Sequence, residues 1–273
     1  MKLLLAYFSA TGNTAQIANT VKEQLTELNV EIDEFNMTSY SDRQKNINLD
    51  PYDAVIFGFP VYDNRAPRLA REWLQTLNGK GKKCATFFTY GGIRVHPSHY
   101  STRQILEKQN FEVVSSAEFL GAHTFNLAGW EAMENRPAPS DFDVAREYAL
   151  KTYKKFINKD SRRLGELEKG MLNEEQLDEL ENSKFKIIKQ FPTRDGKECS
   201  MCRTCEEQCP TQAMNAEEGS ANKDDCIVCL RCVANCPDKV LKINDLSKIF
   251  KMLLQRDNTT KELLAKKTSK IYL

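Results

Sequence analysis

Leu3-Leu4-Leu5-Ala6-Tyr7-Phe8-Ser9-Ala10-Thr11-Gly12-Asn13-Thr14 sets a short apolar run against a loop of small and hydroxylated residues. Ile17, Ala18, Val21, Leu25 and Leu28 follow at helical spacing. A buried strand, a tight loop and an amphipathic helix account for that order. Further runs at Ala54 to Phe59, Ala85 to Phe88 and Val113 to Phe119, with the alternating Val30 to Phe35, predict four more strands. Between them, Leu69, Ala70, Trp73, Leu74 and Leu77 mark a second helix, and Ser101 to Gln109 a third. A fourth opens at Ser140, with Asp143 as its capping acid, and runs to Phe156. Strands alternating with helices predict an α/β fold, a doubly wound five-stranded parallel sheet covered on both faces.

The second half is organised differently. Cys199, Cys202, Cys205, Cys209 and Pro210 recur 27 positions later as Cys226, Cys229, Cys232, Cys236 and Pro237. This duplication predicts two equivalent half-sites. In each run, three cysteines separated by two residues suit one cubane cluster, and the cysteine before the proline ligates the other. Cluster one is therefore expected on Cys199, Cys202, Cys205 and Cys236, and cluster two on Cys226, Cys229, Cys232 and Cys209. The alternative is a pair of zinc ions, but structural zinc usually takes two separated CxxC pairs rather than two CxxCxxCxxxCP runs. The ninth cysteine, Cys84, reads as an inert buried thiol.

The chain divides into an expected α/β domain at 1–158, a connector helix and linker at 159–194 with its helix over Leu164 to Leu180, a cysteine-rich α+β domain at 195–245, and a basic helix or tail at 246–273. That tail holds seven Lys or Arg against Asp257 and Glu262. Over the whole chain Lys and Arg (39) balance Asp and Glu (38), so no global field argues for nucleic acid. No stretch approaches the ~20 apolar residues of a membrane helix, and the N-terminal run is too short for a signal-peptide core. A cytoplasmic protein without a membrane span is the expectation, and nine cysteines in a reducing compartment point to metal or catalysis rather than disulfides.

In the loop Ser9 to Thr14, hydroxyls and backbone N–H groups at a helix start can surround a phosphate dianion; an ordinary N-cap turn uses the same residues. Neither GxxxxGK[ST] nor GxGxxG is present. His96 and His99 form a His-x-x-His pair without a nearby acid or cysteine, which favours solvent-facing or supporting roles over metal ligation. The long segment Gly121 to Ser140, with Trp130, Arg136, Pro137 and Pro139, suits a lid, a docking surface or a structural insertion.

These motifs carry two resemblances. Residues 195–245 resemble two-cluster bacterial-type ferredoxins, departing from them in that Arg203-Thr204 and Leu230-Arg231 lack the glycine often found there. Residues 1–158 resemble flavodoxins, whose phosphate loop has this Ser/Thr-x-Thr-Gly-x-Thr form. Together the chain resembles a flavodoxin–ferredoxin fusion, a type of redox protein expected in anaerobic microbes. The resemblance implies FMN and two [4Fe-4S] clusters. Carried over by position, Ser9, Thr11, Gly12, Asn13 and Thr14 would hold the FMN phosphate. Pro60, Val61 and Tyr62, in the loop running on to Arg65, and Thr89, Tyr90, Gly91 and Gly92 would hold the isoalloxazine. Tyr62 and Tyr90 suit stacking on the ring or packing on neighbouring loops, and Gly91 and Gly92 a close backbone approach or a flexible turn. The expected function is an electron-transfer iron–sulfur flavoprotein, with an FMN-dependent reductase of quinones or nitro compounds as the alternative. Its partner would be a redox protein or a small-molecule acceptor, and a homo-oligomer is compatible with both readings. No catalytic acid, base or nucleophile stands out.

Overall fold

A computed structural model describes side chains for residues 1–182 and 188–273. In chain order the first half runs β1 (Lys2–Tyr7), α1 (Asn13–Thr26), β2 (Glu31–Asn36), α2 (Tyr40–Arg43), β3 (Ala54–Pro60), α3 (Arg68–Leu74), β4 (Lys83–Tyr90), α4 (Ser98–Lys108), β5 (Glu112–Leu120) and α5 (Pro139–Phe156). The second half holds α6 (Glu174–Ile187), α7 (Thr204–Glu207), β6 (Met214–Asn215), β7 (Ser220–Ala221), α8 (Arg231–Ala234), α9 (Ser247–Arg256), α10 (Lys261–Ala265) and β8 (Lys270–Tyr272).

The main sheet has the order β2-β1-β3-β4-β5-β8. Its first five strands are parallel, a flavodoxin-like arrangement. The central strands are apolar on both sides because helices cover both sides. Leu3, Leu5 and Ile56 pack on Ile17, Val21 and Leu25 of α1 and on Ala145 and Tyr148 of α5. Leu4, Val55 and Phe57 pack on Trp73 and Leu74 of α3 and on Leu106 of α4. That second core continues without a break into Ile227, Val228, Leu230 and Phe250, so the cysteine-rich half shares buried surface with the sheet.

Several expectations need correction. The sheet has a sixth strand: β8, from the segment read as a basic helix or tail, pairs antiparallel with β5. It covers an edge that would otherwise present unpaired backbone, and Tyr272 Oη donates to buried Glu118 at 2.7 Å. The connector helix begins at Glu174 rather than Leu164. Asn173 Oδ1 accepts from Gln176 N and Gln176 Oε1 from Asn173 N, a reciprocal cap that sets the start, while Leu164 and Leu167 are buried in the preceding extended segment. Residues 183–187 of this helix lie outside the described side chains. Helix α5, expected to be capped by Asp143, is capped by Asp141, which accepts from Ala138 N at 2.8 Å; Asp143 instead pairs with Arg146. Helix α4 starts at Ser98, three residues before the expected Ser101.

Candidate cofactor sites

A cavity of about 400 Å³ opens at the carboxyl ends of β1, β3 and β4, where open α/β sheets bind ligands. Ser9, Thr11, Asn13 and Thr14 form one side, and Pro60, Val61, Tyr62, Thr89, Tyr90 and Gly91 line the loops beyond it. The cysteine-rich half contributes Ile227 and Val228, and α9 contributes Ile249, Leu253 and Arg256.

The loop after β1 is built to leave a helix start open. Gly12 is the N-cap of α1 at φ 101°, in the left-handed region glycine tolerates, and supplies no side-chain cap of its own. The first turn also carries no acid, so the helix dipole meets no competing negative charge. Ser9 Oγ accepts from Ala15 N at 3.1 Å, Asn13 Nδ2 donates to Ala122 O at 2.9 Å, and the Thr14 and Thr89 hydroxyls lie 2.7 Å apart. The side chains thus brace the loop, and its backbone N–H groups and Thr11 are the groups best placed to meet an anion. This donor set fits a phosphate.

Tyr62 packs edge-on against Phe8 with ring centroids 6.3 Å apart. Burial, and next the charge of Cys229, push its hydroxyl well above the usual tyrosine value. Tyr90 lines the cavity while its hydroxyl reaches Glu118 at 3.1 Å. The space that a side chain at Gly91 would need is filled by the His123 ring, and at Gly92, φ 77°, by Met133. These two glycines therefore admit side chains from the long segment after β5.

That segment supplies groups sequence reasoning missed or left open. His123 Nδ1 accepts from Phe125 N at 3.0 Å, and burial pushes its pKa down to about 4; the ring is neutral with hydrogen on Nε2. Trp130 stacks on Phe250 of α9, centroids 5.1 Å apart at 23°, and its buried Nε1 has no protein partner among the described residues. The 121–140 segment is thus the seat on which the tail docks. Its only advance signal was an unusually long, tryptophan-bearing connection. His99 is buried rather than solvent-facing, with Nδ1 2.6 Å from Ser116 Oγ. His96 Nε2 lies 3.5 Å from Glu168. Cys84 is fully buried, and burial raises its thiol pKa.

The cysteines fall into two groups. Cys199, Cys202, Cys205 and Cys236 line one small hollow. Around Cys229 and Cys232 the neighbouring thiolates are Cys226 and Cys209, so the cysteine before each proline crosses to the other run. Burial pushes the Cys229 thiol up to about 12. Arg203 and Leu230, where ferredoxins often carry glycine, have φ 59° and 54°. They hold a left-handed conformation that costs a side-chain-bearing residue energy. Arg194 Nη1 lies 3.0 Å from Cys199 Sγ, a donor that favours negative charge on that sulfur.

Comparison with known families agrees with both halves. Residues 4–130 match the flavodoxin domain family and residues 191–237 the 4Fe-4S dicluster domain family. The chain is therefore a flavodoxin–ferredoxin fusion, an iron–sulfur flavoprotein of the redox class. No curated protein matches it. Among solved structures, an archaeal flavodoxin is similar at 17% identity over 57% of this chain and 99% of its own, TM-score 0.43. Oxidised Flavodoxin 2 from Bacillus cereus is similar at 21% over 59% and 100%, TM-score 0.42. The rubredoxin oxygen:oxidoreductase of Desulfovibrio gigas shares 16% over 59% of this chain and 37% of its own, TM-score 0.42. No helix among the described residues is long and apolar enough to cross a membrane.

Proposed function

We propose that the protein relays single electrons between two [4Fe-4S] clusters and FMN, in exchange with a redox partner. The observation that carries this reading is the shared cavity: Ile227 and Val228, between cluster ligands Cys226 and Cys229, line it together with Ser9, Thr11 and Thr14. Clusters exchange one electron at a time and FMN takes one or two, so the pairing supplies conversion between the two regimes.

The residues define separate tasks. The Ser9–Thr14 loop binds the terminal phosphate of FMN. Tyr62, packed on Phe8, lines the cavity together with Ile227 and Val228, which adjoin Cys226 and Cys229 in the chain. The Cys199, Cys202, Cys205 and Cys236 set lies outermost, with Cys202 exposed, which supports entry of electrons at cluster one. Helix α9 walls part of the cavity through Ile249 and Leu253, and this partial cover favours a relay over an FMN-dependent reductase of quinones or nitro compounds.

The test is rapid anaerobic reduction of the full-length protein by a low-potential donor, with flavin bleaching followed at several protein concentrations. Covalent linkage keeps donor and acceptor at high effective concentration, so the bleaching rate is expected to be independent of concentration and slower in Cys205→Ser. A rate that rises in proportion to concentration would reject the relay.

A further inference from the structure

Two arginines tie the phosphate loop to the ligand segments of cluster two. Arg231, between Cys229 and Cys232, donates through Nη1 to Ser9 O at 3.1 Å and Ala10 O at 2.9 Å. Arg43 works in the opposite direction. Its Nη1 holds the carbonyls of Met37, Thr38 and Ser39 at 2.9, 2.9 and 3.0 Å, and its Nη2 donates to Pro210 O, next to Cys209. Thr38 Oγ1 in turn accepts from Ser9 N at 2.8 Å. Both the N–H and the C=O of Ser9 are therefore fixed by groups that lead to cluster-two ligands.

The geometry has a direct consequence for anion binding. In a trans peptide the carbonyl and the following N–H point in opposite directions. Arg231, by drawing the Ser9 and Ala10 carbonyls toward itself, aims the N–H groups of Ala10 and Thr11 away from it, and both residues line the cavity. We infer that Arg231 and Arg43 form a clasp through which cluster-two assembly and FMN phosphate binding reinforce each other, with Arg231 the residue that positions the loop. The inference rests on the FMN reading of the cavity. Because coupling between two binding events is reciprocal, an assembled cluster two tightens FMN binding and bound FMN slows the loss of iron from cluster two by way of the same contacts.

The experiment measures FMN and riboflavin affinities, by flavin fluorescence, on anaerobic full-length wild-type, Arg231→Gln and Arg43→Gln proteins whose iron content has been matched. Loss of charge-assisted hydrogen bonds to the loop should weaken FMN about tenfold or more and leave riboflavin, which lacks the phosphate, nearly unchanged. A merely structural loosening of the cavity would lower both affinities together and so overturns the clasp. In parallel, iron release to a chelator should show a phase slowed by FMN but not by riboflavin in wild type, and that protection should shrink in either variant. A wild-type preference for FMN that survives both substitutions overturns the clasp alone. Equal affinity of wild type for FMN and riboflavin overturns the phosphate-loop assignment, and the clasp with it.

Discussion

Truncation of Phe250 to Ala tests whether α9 acts as a wall of the flavin cavity that is separable from the rest of the fold. The Phe250 ring is 2% exposed and stacks on Trp130, while Leu246 N donates to Ala128 O at the helix start. Phe→Ala at a buried site costs about 3–5 kcal/mol, the aromatic pair included. Here most of that loss falls on one local equilibrium, the docking of α9 on the 121–140 segment. Every 1.4 kcal/mol is a factor of ten, so ~3 kcal/mol raises the undocked population on the order of 100-fold. The far end of the tail should stay in place, because Ser269 Oγ donates to Asp141 at 2.7 Å and Tyr272 Oη to Glu118 at 2.7 Å. Hydrogen exchange should therefore show α9 amides losing about two orders of magnitude of protection while β8 amides keep theirs. FMN should dissociate faster, since Ile249 and Leu253 leave the cavity wall with the helix. Unchanged exchange in α9, or an equal loss throughout β3 and β4, would refute the idea of a separately docked wall.

Anaerobically prepared protein should contain about eight iron and eight labile sulfide per chain; zinc in place of iron after anaerobic reconstitution would contradict the cluster reading. Thr11→Ala combined with Thr14→Ala in the full-length protein should weaken FMN but not riboflavin, by about 1.5–3 kcal/mol per charge-assisted hydrogen bond lost, as read by fluorescence titration; Thr14 contributes partly through its bond to Thr89. Stability should fall as pH drops from about 6.5 toward 4. Burial holds His123 down to about 4 and depresses His99 as well, so between those values the unfolded chain binds more protons than the folded one. For His123 the slope is at most about 1.4 kcal/mol per pH unit, and a flatter melting-temperature profile in His123→Gln would check it.

What could be read in advance was what depends on local pattern. Apolar runs at Leu3 to Phe8 and Ala54 to Phe59 stand out because a doubly covered strand must be apolar on both faces. The cysteine repeat stands out because iron ligation tolerates little change in spacing. Elements defined by a distant partner were hidden. Strand β8 is three residues long in a basic tail, and only the β5 edge and Glu118 make Lys270–Tyr272 a strand. The reciprocal cap at Asn173 was readable in principle, yet the leucines at 164 and 167 suggested an earlier helix because their burial comes from packing across the molecule. The cavity followed the same division. The Ser9–Thr14 loop carries a local signature, whereas His123, the pair Ile227 and Val228, and Arg256 reach the cavity from three separate stretches of chain, and a motif search has no means of joining them.

The long connector need not leave the two halves loosely joined, and the contacts show why. Arg65, 2% exposed, pairs with Glu174, Asp178 and Glu181 of α6, and Arg71 also reaches Glu181. The connector is thereby fastened to the loop that carries Tyr62. A buried guanidinium left unpaired is costly, so the docked position of α6 is enforced by the desolvated arginine more than by the exposed Glu174 and Asp178. The ferredoxin segment is then held by Arg43 and Arg231 at the phosphate loop, and the tail beyond it returns to β5. A chain fixed before, within and after its cysteine-rich segment has little freedom to swing that segment away from the cavity. In the proposed relay this arrangement needs no internal docking step, so the slow, partner-dependent step should lie on the side of the exposed Cys202.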